Sequence, residues 1–499
     1  MTPTRKYIEE HFPNPKSTVS TRREFLAKTG MGFGMLSLAS LLRPTGLVAA
    51  PTAPSPVEAA GFSVPVHFPA KAKHVIHIFL SGGPSHVDTF DYKPELAKYD
   101  GKTLPEGNHV GFASPFRFDK CGAAGLEISE LFPEIQKRAD DLCVIKSMYT
   151  DIPAHETATV FMNTGNLRLP RPSLGSWVLY GLGSANQNLP GFVSLRDGGV
   201  PNGGSANWGS VFLPGKYQGT SVNASGSDPG KTLENIRNPY LSLPEQRRQL
   251  DLVKQLDTMH KAKLHQESHL EAELSNMEMA FRMQTEAVDV FDIRKESAAT
   301  LQLYGIDGAP QPGNMKDIRN AMKDRGAMVG NARKMLLASR LVQRGVRFVQ
   351  VWCGGWDMHS DIAKNLPQRA SSIDQPIAAL LADLKSHGLL DETLVIVNGE
   401  FGRSPGRDRN GKGESAGRDH HNKAFFSLLA GGGVKGGMSY GATDELGMAA
   451  VENKVHVHDL HATVLRTLGY DHTKLTYRYN GRDFRLTDVA GNVVNDILT

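Results

Sequence analysis

Short apolar runs that alternate with helical patterns constrain the fold of this 499-residue chain more than any other sequence feature. Apolar runs of this length are typical of strands buried on both faces, and such strands form mainly parallel sheets. Strands that alternate with helices therefore predict a doubly wound α/β fold with helices on both faces of the sheet. We expect strands at 74–80, 142–148, 346–353, 393–397 and 425–432, and helices that begin near Pro153 and span 331–345, 371–386 and 458–470.

Acidic and histidine side chains directly follow two of these runs. Asp357 and His359 come after the third run, and Glu400 and Arg403 come after the fourth. The carboxyl ends of parallel strands form the ligand-binding edge of an open sheet. Carboxylates and imidazoles are the ligands that a hydrolytic metal site uses, so the sequence predicts an active site at this edge. Taken singly, each motif is also explained by a surface turn or a structural ion pair.

A glycine-rich loop at 403–423 adds further polar groups. It contains His420 and an excess of three positive charges. Because the rest of the protein is neutral, this excess favours an anionic substrate, although a solvated basic loop has the same composition. Near the first run, His86 and Asp88 offer another pair of ligand atoms.

The first 50 residues carry the basic excess of the chain. They contain seven Lys/Arg and three Glu, whereas the remaining residues are balanced in charge, so no nucleic-acid-binding surface is expected. Arg22 and Arg23 precede a weakly apolar run at 30–42 that is too short to span a bilayer. This arrangement is typical of a twin-arginine signal peptide, which predicts passage through the twin-arginine translocase to the periplasm or the exterior. A basic arm followed by a buried helix is the alternative.

Composition divides the chain into a signal peptide at 1–50, a flexible spacer at 51–70 and one large domain at 71–495. Within the domain, residues 166–230 are rich in Gly, Asn, Pro and Ser and predict loops and short strands around the core. A helical insertion is expected at about 242–300. No later segment is long and apolar enough for a stable membrane span.

Several of these segments together resemble a known family. They are SGGPSHVDTFD, WDMHSD, GEFGRSP with GRDHH, and the twin-arginine leader, and the resemblance covers roughly residues 70 to 495. The family is an exported bacterial group, domain of unknown function 1501, placed in the alkaline phosphatase and sulfatase superfamily. The resemblance implies a doubly wound α/β core, one or two divalent metals and hydrolysis of phosphate or sulfate esters.

The resemblance and the position of the motifs together suggest a set of metal ligands. Mixed imidazole and carboxylate ligands suit Zn²⁺ or Mn²⁺, whereas Ca²⁺ is favoured if the histidines do not coordinate. Such a metal would polarise the ester and lower the pKa of an attacking hydroxyl or water. The ligands expected first are Asp357, His359, Glu400 and His420, followed by His86 and Asp88.

Other residues are expected to handle the substrate. Arg403 and Arg418 would hold the anion, and His155 would orient or deprotonate the attacking group. Where superfamily phosphodiesterases carry a nucleophilic Thr, this chain has Asp151, with Thr150 beside it. A water molecule is therefore expected to attack, with Thr150 and Asp151 as the alternatives.

Two functions are consistent with these motifs. One is an exported metal-dependent hydrolase that acts on an anionic small molecule or polysaccharide. The other is a degenerate member of the superfamily that binds polysaccharide or cell-envelope partners without turnover. Ser81 and Phe401 replace residues that usually bind metal in the superfamily and favour the second function, whereas the polar groups at the strand ends favour the first.

Overall fold

The computed structural model describes residues 64–106, 109–186, 188–224, 240–261, 277–278, 281–282, 289–306, 315–408 and 415–499. The predicted signal peptide, most of the predicted spacer and the middle of the predicted helical insertion therefore lie outside the described residues.

Strands and helices alternate through most of the described chain. The strands are β1 (His74–Phe79), β2 (Phe118–Cys121), β3 (Leu126–Ser129), β4 (Leu142–Tyr149), β5 (Phe192–Arg196), β6 (Thr220–Asn223), β7 (Phe348–Trp352), β8 (Thr393–Asn398), β9 (Gly402–Arg403), β10 (His420–His421), β11 (Phe425–Ala430), β12 (Met438–Tyr440), β13 (Ala442–Thr443), β14 (Ala450–Glu452), β15 (Val455–His456), β16 (Tyr477–Tyr479) and β17 (Arg482–Phe484). The helices are α1 (Pro133–Gln136), α2 (His155–Thr164), α3 (Leu174–Leu182), α4 (Leu243–Lys261), α5 (Ala298–Tyr304), α6 (Met315–Gln343), α7 (Ile362–Ser386) and α8 (Val457–Thr467).

The central sheet has the strand order β12-β4-β11-β8-β1-β7-β5-β6, and β15 also pairs with β4. Neighbouring strands run parallel, except that β11 is antiparallel to both β4 and β8. The predicted doubly wound, mainly parallel α/β fold is confirmed. Because β1, β7 and β8 are parallel neighbours, the segments that follow them meet at one edge.

Both faces of this sheet are covered. In β1, Ile76 and Ile78 pack in the apolar layer that contains α6 and α7, whereas Val75 and Phe79 pack in the layer that contains α2, α3 and α8. Successive side chains of a strand point to opposite faces, so a strand between two apolar layers is mainly apolar along its whole length. None of the helices in the described ranges is both long and apolar enough to cross a membrane.

Residues 166–230 hold more regular structure than predicted. They contain helix α3, and β5 lies inside the central sheet, paired with β7. The glycines that obscured the helical pattern allow close packing: a Cβ on Gly175 would lie 2.5 Å from the ring of Phe192. Gly175 therefore permits a close contact inside a helix, where the sequence pattern suggested a loop.

Candidate metal centre

Four side chains meet at the carboxyl edge of the central sheet. Asp357 and His359 lie in the loop after β7, His155 is the first residue of α2, and His420 is in β10. One ligand atom from each lies within 4.8 Å of the others. The structure thus brings together three of the four ligands expected first and adds His155 to them.

Asp357 Oδ1 is the common contact of this cluster. His359 Nε2 lies 3.0 Å from this oxygen, His155 Nε2 lies 3.2 Å from it, and His420 Nε2 lies 3.7 Å from it. His359 Nε2 and His420 Nε2 are 3.0 Å apart. Ligand atoms around a tetrahedral zinc ion, with bonds of about 2.0–2.1 Å, are roughly 3.3 Å from one another. The spacing in the cluster is therefore compatible with metal binding.

Each imidazole is held in place through its other ring nitrogen. A carbonyl or an ionised carboxylate can only accept a hydrogen bond, so Nδ1 donates and Nε2 presents a lone pair to the cluster. Partners of this kind fix the tautomer and ring orientation of metal-binding histidines. The three pairs are His155 Nδ1 with Glu400 Oε1 at 2.6 Å, His359 Nδ1 with Asp408 Oδ2 at 2.5 Å, and His420 Nδ1 with the carbonyl oxygen of Pro153 at 2.9 Å.

Lone pairs at these distances repel each other and the carboxylate unless positive charge lies among them. Arg403 supplies part of this positive charge. Its Nη2 donates to Asp357 Oδ1 at 2.5 Å, and its Nη1 lies 3.3 Å from His359 Nε2. Within the described ranges, the buried His155 Nε2 has no hydrogen-bond partner. Three imidazoles and one carboxylate therefore fit a divalent metal, and the imidazoles favour Zn²⁺ or Mn²⁺ over Ca²⁺.

The surroundings shift the pKa values of three members of the cluster. Burial raises the pKa of Asp357, but the hydrogen bond and charge of Arg403 outweigh it and lower the pKa overall. Burial lowers the pKa of His155, but the hydrogen bond and charge of Glu400 outweigh it and raise the pKa overall. Burial and the charge of Arg403 lower the pKa of His420. Asp357 is thus held as an anion and His420 as a neutral ligand.

Arg403 was expected to bind a substrate anion, but its guanidinium is occupied by the protein. It is buried and donates to the carbonyl oxygens of Gly82, Gly83 and Arg418 as well as to Asp357. The structure therefore gives Arg403 a different role. It orients Asp357 and holds the loop after β1 against the carboxyl edge of the central sheet.

Glu400 was expected to be a ligand, but it lies behind the cluster. Its carboxylate is fully buried, and the Gly82 N–H lies 2.9 and 3.2 Å from its two oxygens. Gly82 has a φ of 121°, and a Cβ there would lie 2.3 Å from the backbone nitrogen of Asp357. Glycine is therefore required where the two loops touch, and Glu400 positions His155.

The structure does not bring His86, Asp88 or Arg418 into the cluster. Asp88 and Arg418 are both fully buried and form an ion pair, with Arg418 Nε 2.6 Å and Nη2 2.9 Å from the carboxylate oxygens. Arg418 Nη1 donates to the carbonyl oxygens of Ser404 and Pro405. His86 is buried with Nε2 2.9 Å from the carbonyl oxygen of Gly447. These residues stabilise the loops around the site and have no open face for a metal or a substrate.

Thr150 and Asp151 also lie outside the four-residue cluster. The Thr150 hydroxyl is buried without a hydrogen-bond partner, so no base within the described chain activates it. Asp151 is exposed, and its Oδ2 lies 3.0 Å from Nε2 of His456. Neither residue has the contacts of an activated nucleophile.

Sequence patterns did not identify all the residues that build this edge. Asp408 contributed to the predictions only as one of the charges of the loop 403–423, and not as the partner of His359. No sequence pattern indicates that the backbone carbonyl of Pro153 accepts a hydrogen bond from His420. Arg369 of α7 was not considered, yet a Cβ on Gly355 would lie 2.7 Å from Arg369 Cζ. Its guanidinium therefore lies on the loop that carries Asp357, and it has no hydrogen-bond or ion-pair partner among the described residues.

A family model matches residues 72–498, and its description is "Protein of unknown function (DUF1501)". The match spans the described fold and includes each residue of the cluster. No curated protein matches the sequence.

Many solved structures match the chain at low similarity, 73 chains in all. A sulfatase, PsFucS1, from Pseudoalteromonas sp. is 12% identical with a TM-score of 0.34, over 80% of this chain and 68% of that chain. The lipoteichoic acid synthase LtaP from Listeria monocytogenes is 9% identical with a TM-score of 0.35, over 86% and 79%. Alkaline phosphatase from the Antarctic bacterium TAB5 is 12% identical with a TM-score of 0.31, over 80% and 98%.

Proposed function

The chain belongs to the family DUF1501, as its sequence motifs predicted, and from this premise we propose that it is a metal-dependent hydrolase of phosphate or sulfate esters. One observation carries the proposal: three imidazoles present Nε2 to a single carboxylate oxygen while an acceptor holds each Nδ1. His155, Asp357, His359 and His420 would hold the metal. When bound, a divalent metal supplies a Lewis acid that polarises the ester and lowers the pKa of an attacking water.

The substrate would enter where Asp357 faces solvent. The Asp357 side chain is half exposed, whereas Glu400 and Arg403 behind it are buried. Arg403 fixes one oxygen of Asp357, which leaves the carboxylate oriented to accept a proton from a water at the mouth of the site. Because the Thr150 hydroxyl is buried and has no partner among the residues that the structure describes, we infer direct attack by water without a covalent enzyme intermediate.

Arg369 takes over the anion-holding role in this proposal. It lies against Gly355, two residues before Asp357, and its guanidinium has no protein partner in the described part of the chain. A guanidinium presents five N–H donors in a planar fork that matches the oxygens of a phosphate or sulfate group. Arg403 and Arg418 are fully buried and bonded to the protein, so neither presents a guanidinium to a substrate.

The protein purified in folded form should contain at least one divalent metal per chain, with Zn²⁺ or Mn²⁺ preferred. The double variant His359→Ala/His420→Ala should lose it, because two of the four ligands are removed, and Glu400→Gln should bind it about 10- to 100-fold more weakly by loosening His155. Elemental analysis and metal titration measure both effects. His387→Ala is the control, since His387 is half exposed at the end of α7.

A wild-type protein that holds no metal and gains no thermal stability from added Zn²⁺, Mn²⁺ or Ca²⁺ would contradict the hydrolase proposal. That outcome would favour the degenerate polysaccharide- or envelope-binding protein instead.

We also propose export through the twin-arginine translocase to the periplasm or the exterior, because Arg22-Arg23 precede a weakly apolar run. Replacing both arginines by lysine should leave the precursor inside the cell, since the pair is the recognised element of such a signal. Cell fractionation followed by immunoblotting measures this, with Lys28→Arg as the control. Normal secretion of the double-lysine variant would exclude this route.

A further inference from the structure

An aromatic surface with arginines lies around the hairpin β16–β17, away from the metal centre. Phe212 stacks on Tyr479, with ring centroids 5.2 Å apart and an interplanar angle of 19°, and lies 5.0 Å from the ring of Phe484. Two guanidinium groups lie over Phe484: Arg171 at 4.4 Å and Arg482 at 4.8 Å. These five residues are called the aromatic–arginine surface below.

Arg171 is the unusual member of this surface. Arg482 donates to Asp488 at 2.6 Å, but the guanidinium of Arg171 has no hydrogen-bond or ion-pair partner among the described residues. Burial lowers the pKa of Arg171, whereas the charge of Asp488 raises it and the charge of Arg482 lowers it. A partly buried cation next to a second cation is stabilised by an anion, and all the N–H donors of Arg171 are available to one.

Tyr479 is the exposed ring of this surface. One face of Tyr479 covers Phe212, yet Tyr479 remains 42% exposed. Leu169, two residues from Arg171, is 56% exposed. An exposed aromatic ring near a guanidinium offers a ligand both a flat apolar surface and hydrogen-bond donors.

We propose that the aromatic–arginine surface binds an anionic polysaccharide. The exposed face of Tyr479 would lie against the C–H face of a sugar ring, and Arg171 would hold a sulfate or carboxylate group of the same chain. Tyrosine offers a flat apolar body together with a polar end, and a guanidinium binds a planar or tetrahedral anion through two donors. Nucleic acid is the competing occupant, and binding of a thymidine homopolymer distinguishes it from a polysaccharide.

This site is separate from the metal centre and goes beyond the proposed hydrolysis. Helix α2 carries His155 at its first residue, and a Cβ on Gly165, just past its end, would lie 2.3 Å from the carbonyl oxygen of Leu486. A helix of this length spans about 15 Å, so β17 lies near the end of α2 opposite to His155. The surface would hold a polymer and raise its concentration near the enzyme without taking part in the chemistry.

Affinity measurements with dextran sulfate and unmodified dextran test the proposal on the full-length protein. The wild type should bind dextran sulfate and not dextran, and Arg171→Gln and Tyr479→Ala should each weaken binding about tenfold. Arg117→Gln is the charge-matched control, since Arg117 is an exposed arginine directly before β2 that pairs with Asp119 and Glu130. This variant should bind dextran sulfate as the wild type does. Arg171→Lys should weaken binding by less, because it keeps the charge and loses the planar group.

Each remaining outcome would overturn the proposal. If Arg171→Gln and Arg117→Gln lose affinity for dextran sulfate equally, binding is a general charge attraction. If the wild type binds dextran as tightly as dextran sulfate, the surface does not recognise an anion. Tighter binding of a thymidine homopolymer that Tyr479→Ala abolishes would show a nucleic-acid site. Stabilisation by inorganic sulfate without polymer binding would show an ion site only. Melting temperatures verify folding, and turnover of a small aryl ester by Arg171→Gln should equal that of the wild type.

Discussion

Replacing Asp357 by asparagine should lower kcat/KM for an aryl phosphate or sulfate ester at least ~100-fold, or about 2.7 kcal/mol of transition-state stabilisation. Asp357 Oδ1 is the atom that all three Nε2 atoms approach, and an amide supplies neither the charge that binds a metal nor a base for the attacking water. Steady-state kinetics with saturating metal measure the effect. Asp361→Asn is the matched control in the same motif, because Asp361 lies outside the cluster and Asn tolerates its φ of 53°.

Two further variants separate the steps of the proposed reaction. Thr150→Ala should retain most activity, whereas abolished turnover with unchanged metal content would show that water is not the nucleophile.

Arg369→Gln should raise KM about tenfold with little change in kcat if Arg369 holds the anion in the ground state and the transition state alike. Equal losses in Asp357→Asn and Asp361→Asn would contradict the assignment of the cluster.

The sheet and its edge could be predicted because buried strands leave a strong signal. The runs that became β1, β4, β7 and β8 are mainly apolar, since layers of helices cover both faces of the sheet. Asp357 and His359 follow from the same logic, because they lie just beyond a strand at the common edge, whereas His420 was suggested by the glycine-rich loop and lies in β10. The antiparallel direction of β11 left no comparable signal, since an apolar strand fits either direction.

The bounds of the helices were harder to predict, because Pro and Gly in a sequence indicate a helix end even where packing on the core keeps the helix intact. Helix α7 begins at Ile362, nine residues before the predicted start, and contains Pro367 and Pro376. Helix α6 begins at Met315 and not at 331. In α7, which packs in the apolar core, tertiary packing overrides local preference, which periodicity alone does not weigh.

The hydrogen-bond partners of the metal-binding residues could not be predicted, because they depend on three-dimensional contacts between distant segments. Glu400 and His155 are 245 residues apart in the chain, and His359 and Asp408 are 49 apart. Arg403 and Arg418 looked suited to bind an anion because sequence shows their charge and not their occupied donors. The fold decides which polar group is a ligand, which one positions a ligand and which one is internal.

Replacing Asp88 by asparagine should lower the free energy of unfolding by about 3–5 kcal/mol, the typical effect of removing one partner from a buried ion pair. Asp88 and Arg418 are both fully buried, so the variant would leave the charge of Arg418 without a counterion in the interior. Denaturant unfolding measures the change. Glu392→Gln is the control, since its partner Lys73 and Glu392 itself are exposed, and it should cost less than about 1 kcal/mol.

This variant also separates the two roles considered for Asp88. If Asp88 only supports the loops, the folded Asp88→Asn protein should bind metal with the stoichiometry of the wild type, because the four residues of the cluster are unchanged. Lost metal at unchanged stability would instead restore Asp88 as a ligand. The burial of both charges makes the first result the expected one, since a carboxylate that already receives two bonds from Arg418 and one from Ser85 has little capacity left for a metal.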